Sequence, residues 1–290
     1  MRGQPPSAVT PSAVTEPSTP AATNTVKVSA PAKLTLTLRV TGRRSDGYHL
    51  LDAEMVTIDL ADTLLFGPGD DLSVVDEVVG ETGTVEISTG PDNLVARALT
   101  LVGRRASVQL VKRIPAGAGL GGGSADAAAV LRWAGWPDPA LAVGLGSDVP
   151  FCVRGGRARV TGVGEVIEPL PFEERRFVLL LPPLHVNTAA VFRAWDESGE
   201  RHGPDRGSDG GNDLEEAAVT VAPRLAAWRD CLAEACGQRP RLAGSGSTWF
   251  VEGIPEELGL EKKTFLELDG EQAALQAVET TPPRSGEVEN

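Results

Sequence analysis

A run of glycines held between a strand pattern and a helix pattern constrains this chain more than any other feature. The run is Pro115-Ala116-Gly117-Ala118-Gly119-Leu120-Gly121-Gly122-Gly123-Ser124-Ala125-Asp126. Upstream, Ala106, Val108 and Leu110 alternate with Ser107 and Gln109, which is the period of a half-buried strand. Downstream, Ala125 to Trp133 reads as a helix. The glycines therefore feed a helix N-terminus, where free backbone N–H groups and the positive end of the helix dipole point the same way. Such a terminus attracts phosphate, and residues without side chains let phosphate approach the backbone. A flexible loop before a helix is the plain alternative.

Two familiar phosphate loops do not fit. Gly117-x-Gly119-x-x-Gly122 matches the dinucleotide pattern, yet Arg113, Ile114 and Pro115 separate it from the strand. Where that pattern needs a second strand ending in an acidic residue, Pro137-Asp138-Pro139 makes a turn. The Walker loop needs a lysine after its glycines, and none follows here.

The 290 residues suffice for one large domain or two ordinary ones, and 41% hydrophobic content supports real cores. A net charge of −13 argues against a nucleic-acid or anionic-membrane surface. No apolar run approaches the roughly 20 residues of a membrane span. Cys152, Cys231 and Cys236 form neither a Cys-x-x-Cys pair nor an even framework, so reduced thiols and a cytoplasmic location are expected. His49, His185 and His202 lack zinc spacing.

Residues 1–25, rich in Ser, Thr, Pro and Ala, read as a disordered tail. Leu34, Leu36, Leu38 and Val40 alternate with Thr35, Thr37 and Arg39 in a first strand. Gly42 to Gly47 turns, and strands follow over Glu54–Leu60, Thr63–Phe66, Leu72–Val79, Thr84–Ser88 and Arg157–Thr161. Asp92 is the expected cap of a helix with Leu94, Val95, Ala98, Leu99 and Val102 on its apolar face. A second unit opens with the continuous apolar run Phe177 to Leu181. Asn187 caps a helix through Val191, Phe192 and Trp195. Ser198 to Gly211 is expected to be a mobile loop, and helices follow from Asp213 and over Ala222–Cys236. The expected division is 26–172 and 173–268, with 269–290 as a second disordered tail.

Three separated stretches, Pro31-Ala32-Lys33-Leu34, the glycine loop and Gly244-Ser245-Gly246-Ser247, stand in the order of the three motifs of GHMP small-molecule kinases, which the chain resembles. Within them, Gly42-Arg43-Arg44-Ser45-Asp46-Gly47-Tyr48-His49 is similar to the 4-diphosphocytidyl-2-C-methyl-D-erythritol kinases. So are Asp92-Asn93-Leu94, Gly146-Ser147-Asp148-Val149-Pro150 and Gly162-Val163-Gly164-Glu165.

The resemblance implies an α+β, two-domain fold. The N-terminal domain would be like domain 2 of ribosomal protein S5 and the C-terminal one ferredoxin-like. It implies ATP-dependent phosphorylation of the 2-hydroxyl of the cytidine-diphosphate-linked methylerythritol, on the non-mevalonate route to isoprenoids. Lys33 and Asp148 match the catalytic pair. Pro115 to Ala125 match the ATP loop, namely Pro115, Ala116, Gly117, Ala118, Gly119, Leu120, Gly121, Gly122, Gly123, Ser124 and Ala125. Thr35, Tyr48, His49 and Phe192 match substrate contacts, although the family usually has Asn where this chain has Thr35. Mg²⁺ is expected to arrive on the phosphates, and Ser124 is either an ordinary helix serine or a contact for phosphate or Mg²⁺. The implied partner is the small-molecule substrate alone, with no nucleic acid and no membrane, and the enzyme a monomer or weak homodimer. The same residues leave open a kinase for another alcohol, of homoserine or mevalonate type, or a non-catalytic nucleotide-binding relative.

Overall fold

The computed structural model describes residues 25–79, 87–136, 138–199 and 211–283. Among these residues the strands form two sheets. In the first, β1 (Val26–Arg43) and β2 (His49–Gly67) are long antiparallel partners. The far side of β2 carries β4 (Ser107–Lys112) at its C-terminal end and β5 (Arg157–Gly162) near its start. The outer strands are β3 (Leu72–Asp76), parallel to β4, and β6 (Val166–Pro169), antiparallel to β5. The separate strands expected over Glu54–Leu60 and Thr63–Phe66 are thus one strand. Ala61 and Asp62 do not interrupt it: they pair with Pro31 and Ala30 of β1, and the register shift between Pro31 and Lys33 places the extra residues on β2, between Thr57 and Ala61. The expected strand over Thr84–Ser88 lies largely outside the described residues.

Three helices cover this sheet: α1 (Leu94–Leu101), α2 (Gly122–Ala134) and α3 (Val149–Arg154). The cap of α1 is Asn93, whose side chain accepts from Val95 N–H, rather than the expected Asp92, which accepts from Ser88 Oγ instead. One residue of shift is within the tolerance of a pattern in which both candidates are good caps. At the far end of α2, Arg132 donates to the carbonyls of Ser29 and Cys152, which ties β1 and α3 to the helix.

The second sheet has the order β10-β11-β7-β9-β8, built from β7 (Arg176–Leu181), β8 (Arg241–Leu242), β9 (Trp249–Glu252), β10 (Phe265–Leu268) and β11 (Glu271–Glu279). The path β11-β7-β9-β8 is the ferredoxin-like order. The place of that fold's second helix, between β9 and β11, is taken by turns after Gly253 and the edge strand β10. Helices α4 (Thr188–Glu197), α5 (Glu215–Val221) and α6 (Arg224–Cys236) cover one face. Asn187 caps α4 as its position predicts.

The apolar run of β7 follows from its two buried faces. Phe177, Leu179 and Leu181 pack with the core of the first sheet, while Val178 and Leu180 pack under the helices. Strand β1 also serves both cores, with Leu34 and Leu36 in one and Leu38 and Val40 in the other.

The expected disordered tail over 269–290 is corrected for 271–283. Strand β11 pairs with β7 from Ala274 to Glu279, and Thr281 N–H donates to Thr57 O. Its Ala- and Gln-rich sequence carries little hydrophobic signal, so pairing with an apolar neighbour, not its own pattern, makes it a strand. Residues 1–24 and 284–290 of the expected tails, and most of the loop expected over Ser198 to Gly211, lie outside the described residues.

A buried ionic network joins β2, β4 and α2. Lys112 Nζ contacts Asp62 and lies 2.7 Å from Asp126 Oδ2. Asp62 also accepts the backbone N–H groups of Arg113 and Ile114, whereas Asp126 Oδ1 has no hydrogen-bond partner. One lysine thus faces two carboxylates, and Asp126 is the one in excess. Burial, opposed by Lys112 and reinforced by Asp62, pushes its pKa from 3.8 up to about 7. Between about pH 4 and 7 the folded protein holds a proton that the unfolded chain has released. The contribution of Asp126 to stability therefore declines as pH rises through that window and is flat above it. Urea melts of wild type and Asp126→Asn at about pH 5 and pH 8 should show the wild type losing ground to the variant at the higher pH. A pH-independent difference would contradict this assignment.

Candidate active site

A cleft of about 980 Å³ opens between the two sheets, lined from one side by the glycine loop and from the other by α4 and Gly244-Ser245. That volume suits two small ligands bound side by side.

The three motifs meet here through backbone contacts. Lys33 N–H donates to Leu120 O (3.0 Å), and Thr248 N–H donates to Ala118 O (3.2 Å). Gly119 lies so close to the third motif that a Cβ on it would stand 2.1 Å from Ala243 O, and its φ is +75°. Both constraints demand glycine. Gly121 is left-handed at the N-cap of α2 and offers no side-chain cap, so the N–H groups of Gly122, Gly123 and Ser124 open the helix without a capping side chain. Ala118 is not among the positive-φ residues, consistent with its side chain.

Lys33 is 5% exposed, and its Nζ lies 3.0 Å from Thr35 Oγ1 and 3.3 Å from Asp148 Oδ2. Asp148 occupies the N-cap position of α3 but makes no side-chain capping bond. Its carboxylate turns toward the lysine and into the cleft instead. The Gly162–Glu165 turn braces this segment, since a Cβ on Gly164 would meet Ser147 O at 2.1 Å. Cys152, one turn along α3, is buried, and burial pushes its thiol up to about 12, which makes it inert as a nucleophile.

Tyr48 is 60% exposed at the tip of the β1–β2 hairpin, with the Arg44 guanidinium 5.8 Å from its ring centre. A core role is thereby excluded. His49 stacks on Phe192 with centroids 4.6 Å apart and meets the Trp195 edge at 5.7 Å. Phe192 therefore packs on a protein ring on one side and partly on the core of the second sheet.

Among the described residues, no group of three His, Cys, Asp or Glu could hold a metal by itself. Ser124 and Asp148 both line the cleft. One hydroxyl and one carboxylate fit an ion such as Mg²⁺ that arrives mostly coordinated by phosphate and water.

Sequence reasoning overlooked Lys112 and Asp196. Lys112 continues the inward face of Val108 and Leu110, so a lysine closing an apolar face was the available signal. Asp196 lies four residues after Phe192, on the same side of α4.

Comparison with known proteins agrees with this geometry. The GHMP kinases N terminal domain family matches residues 93–135. A 4-diphosphocytidyl-2-C-methyl-D-erythritol kinase of Paracoccus denitrificans is 42% identical over 242 residues, covering 77% of this chain and 85% of the relative. One from Paramagnetospirillum magneticum is 39% identical over 259 residues, covering 77% and 87%. A crystal structure of 4-(cytidine 5'-diphospho)-2C-methyl-D-erythritol kinase superposes with a TM-score of 0.65 at 33% identity, covering 88% of this chain and 99% of that one. With the phosphate-type loop, the Lys33–Asp148 pair and the two-sheet cleft in one chain, this chain belongs to the 4-diphosphocytidyl-2-C-methyl-D-erythritol kinase family of GHMP kinases.

Proposed function

We propose that the chain transfers the γ-phosphate of ATP to the 2-hydroxyl of 4-diphosphocytidyl-2-C-methyl-D-erythritol, giving the 2-phosphate and ADP in isopentenyl diphosphate synthesis. The observation that carries this reading is the juxtaposition, in one cleft, of the Lys33–Asp148 pair with the N-terminus of α2. Phosphoryl transfer asks a protein mainly for positioning and charge stabilisation. The N–H groups of the first turn of α2 hold the phosphates. Asp148 accepts the hydroxyl proton as the oxygen attacks, and Lys33 orients Asp148 and offsets charge on the reacting oxygens. Mg²⁺ carried by the phosphates would supply further charge neutralisation, with Ser124 and Asp148 within its reach.

At the other end of the cleft, Tyr48 offers a free ring face for cytosine. His49 supplies a polar atom for the base edge, and Thr35 holds Lys33 from within the cleft. Phe192 backs His49 rather than standing free as a second platform. The Gly42–His49 tract borders the same cleft, which favours a cytidine-linked alcohol over homoserine or mevalonate. The three cysteines are free, which supports a reducing, cytoplasmic setting.

The direct test is a coupled ADP-release assay offering the cytidylyl substrate beside homoserine and mevalonate; turnover should be confined to the first. Asp148→Asn should lower kcat by about 10²- to 10⁴-fold while ATP still binds. A variant with near-normal kcat would remove Asp148 from the chemistry. A Cβ on Gly123 would touch only Leu94 Cδ1 at 3.4 Å, an ordinary contact, so the fold should accept Gly123→Val. That variant should raise KM for ATP by about tenfold or more, equivalent to ~1.4 kcal/mol, with little change in Tm. Unaltered nucleotide affinity in calorimetry would make the loop merely structural. Tyr48→Ala should raise substrate KM by about 5- to 150-fold, the worth of one base–aromatic stack, and leave KM for ATP and Tm nearly unchanged.

A further inference from the structure

Asp196, near the C-terminal end of α4, reaches across the cleft to the β1–β2 hairpin. Its Oδ1 lies 2.8 Å from His49 Nε2 and its Oδ2 lies 3.2 Å from Arg43 Nη1. The residue is thus the ionic link between a helix of the second sheet's layer and the substrate end of the first. Nothing in the proposed phosphoryl transfer uses it.

The chemistry of the contact decides the state of the imidazole. A carboxylate at this distance only accepts, so Nε2 carries the ring proton, and in the neutral ring Nδ1 is then a lone-pair acceptor. Arg43, 3.2 Å from Asp196 Oδ2, supplies a second donor that fixes the plane of the carboxylate. Phe192 on the His49 face and Trp195 against it hold the ring plane, leaving proton placement as the remaining freedom. Cytosine presents an amino donor beside an unprotonated ring nitrogen. Uracil reverses both, with a carbonyl beside an N–H. An acceptor held at His49 pairs with the first and meets the second lone pair to lone pair.

We propose that Asp196 is a positioning residue that holds His49 as a hydrogen-bond acceptor and so makes the site select the amino-bearing edge of cytosine over uracil. This rests on the kinase reading above and on His49 meeting the base. Asp196 touches neither the base nor the reacting atoms; it acts through the imidazole. Without it the ring proton moves between the two nitrogens and either base finds a partner, so discrimination falls while chemistry at Asp148 continues.

The test compares the cytidine-linked substrate with its uridine-linked counterpart in wild type and Asp196→Ala. Wild type should prefer cytidine by about 100-fold or more in kcat/KM, since a site built around a polar edge leaves the wrong base's groups unpaired. Asp196→Ala should raise KM for the cytidine substrate by about tenfold, the scale of one hydrogen bond to a charged group. It should leave kcat and KM for ATP nearly unchanged and reduce the preference to below about tenfold. The ¹⁵N shifts of the His49 ring, in a chain with three histidines, should report a proton on Nε2 in wild type and a mixture in the variant. An unchanged base preference, equal weakening of ATP and substrate, or a wild-type ring protonated at Nδ1 would each overturn the assignment. If wild type turns over neither substrate, the kinase reading fails, while the ring-nitrogen measurement still judges the Asp196–His49 contact on its own.

Discussion

The site depends on one close backbone approach: the glycine loop lies against β1 on one side and the Gly244–Thr248 turn on the other. Hydrogen bonds from Lys33 and Thr248 N–H to Leu120 and Ala118 carbonyls lock three sequence-distant segments together. No side chain fits at Gly119, because Ala243 O already occupies the Cβ position. The positive end of α2 and the Lys33–Asp148 pair are therefore held at a fixed separation by main chain, which is stiffer than any side-chain contact. Such stiffness suits a reaction whose catalysis is chiefly positioning.

Electrostatics are local in this protein. The overall charge of −13 opposes binding of a polyphosphate. Against it stand the buried ammonium of Lys33, the partial charge at the N-terminus of α2 and Lys112, whose Nζ lies 3.2 Å from the position a Cβ of Gly122 would take. The two lysines are buried, where charge acts through a lower effective dielectric than in bulk water. Lys112 keeps its proton because Asp62 and Asp126 flank it, and the surplus carboxylate carries the energetic penalty.

Much of the fold was legible because the segments that matter are strongly patterned. The alternation from Leu34 to Val40, the apolar run from Phe177 to Leu181 and the Asn187 cap each produce the element they suggest, because local preference and burial agree there. Strand β11 was not legible: Ala273, Ala274 and Gln276 have no strand preference of their own, and pairing with β10 and β7 recruits them. The shift of the α1 cap from Asp92 to Asn93 shows the same limit on a smaller scale.

By itself, the sequence determined the phosphate-type loop, the residue types available for chemistry and the family resemblance. The glycine run between a strand pattern and a helix pattern and the order of the motifs are written in the chain. Tertiary structure alone decided what each polar side chain faces. Asp148 could have capped α3, and the cleft turns it to Lys33 instead. Tyr48 could have been core, and the hairpin tip exposes it. His49 and Asp196, 147 positions apart, gain their 2.8 Å contact only when two sheets pack around one cleft. Side-chain direction and proton placement are set by neighbours distant in sequence, and no local pattern encodes them.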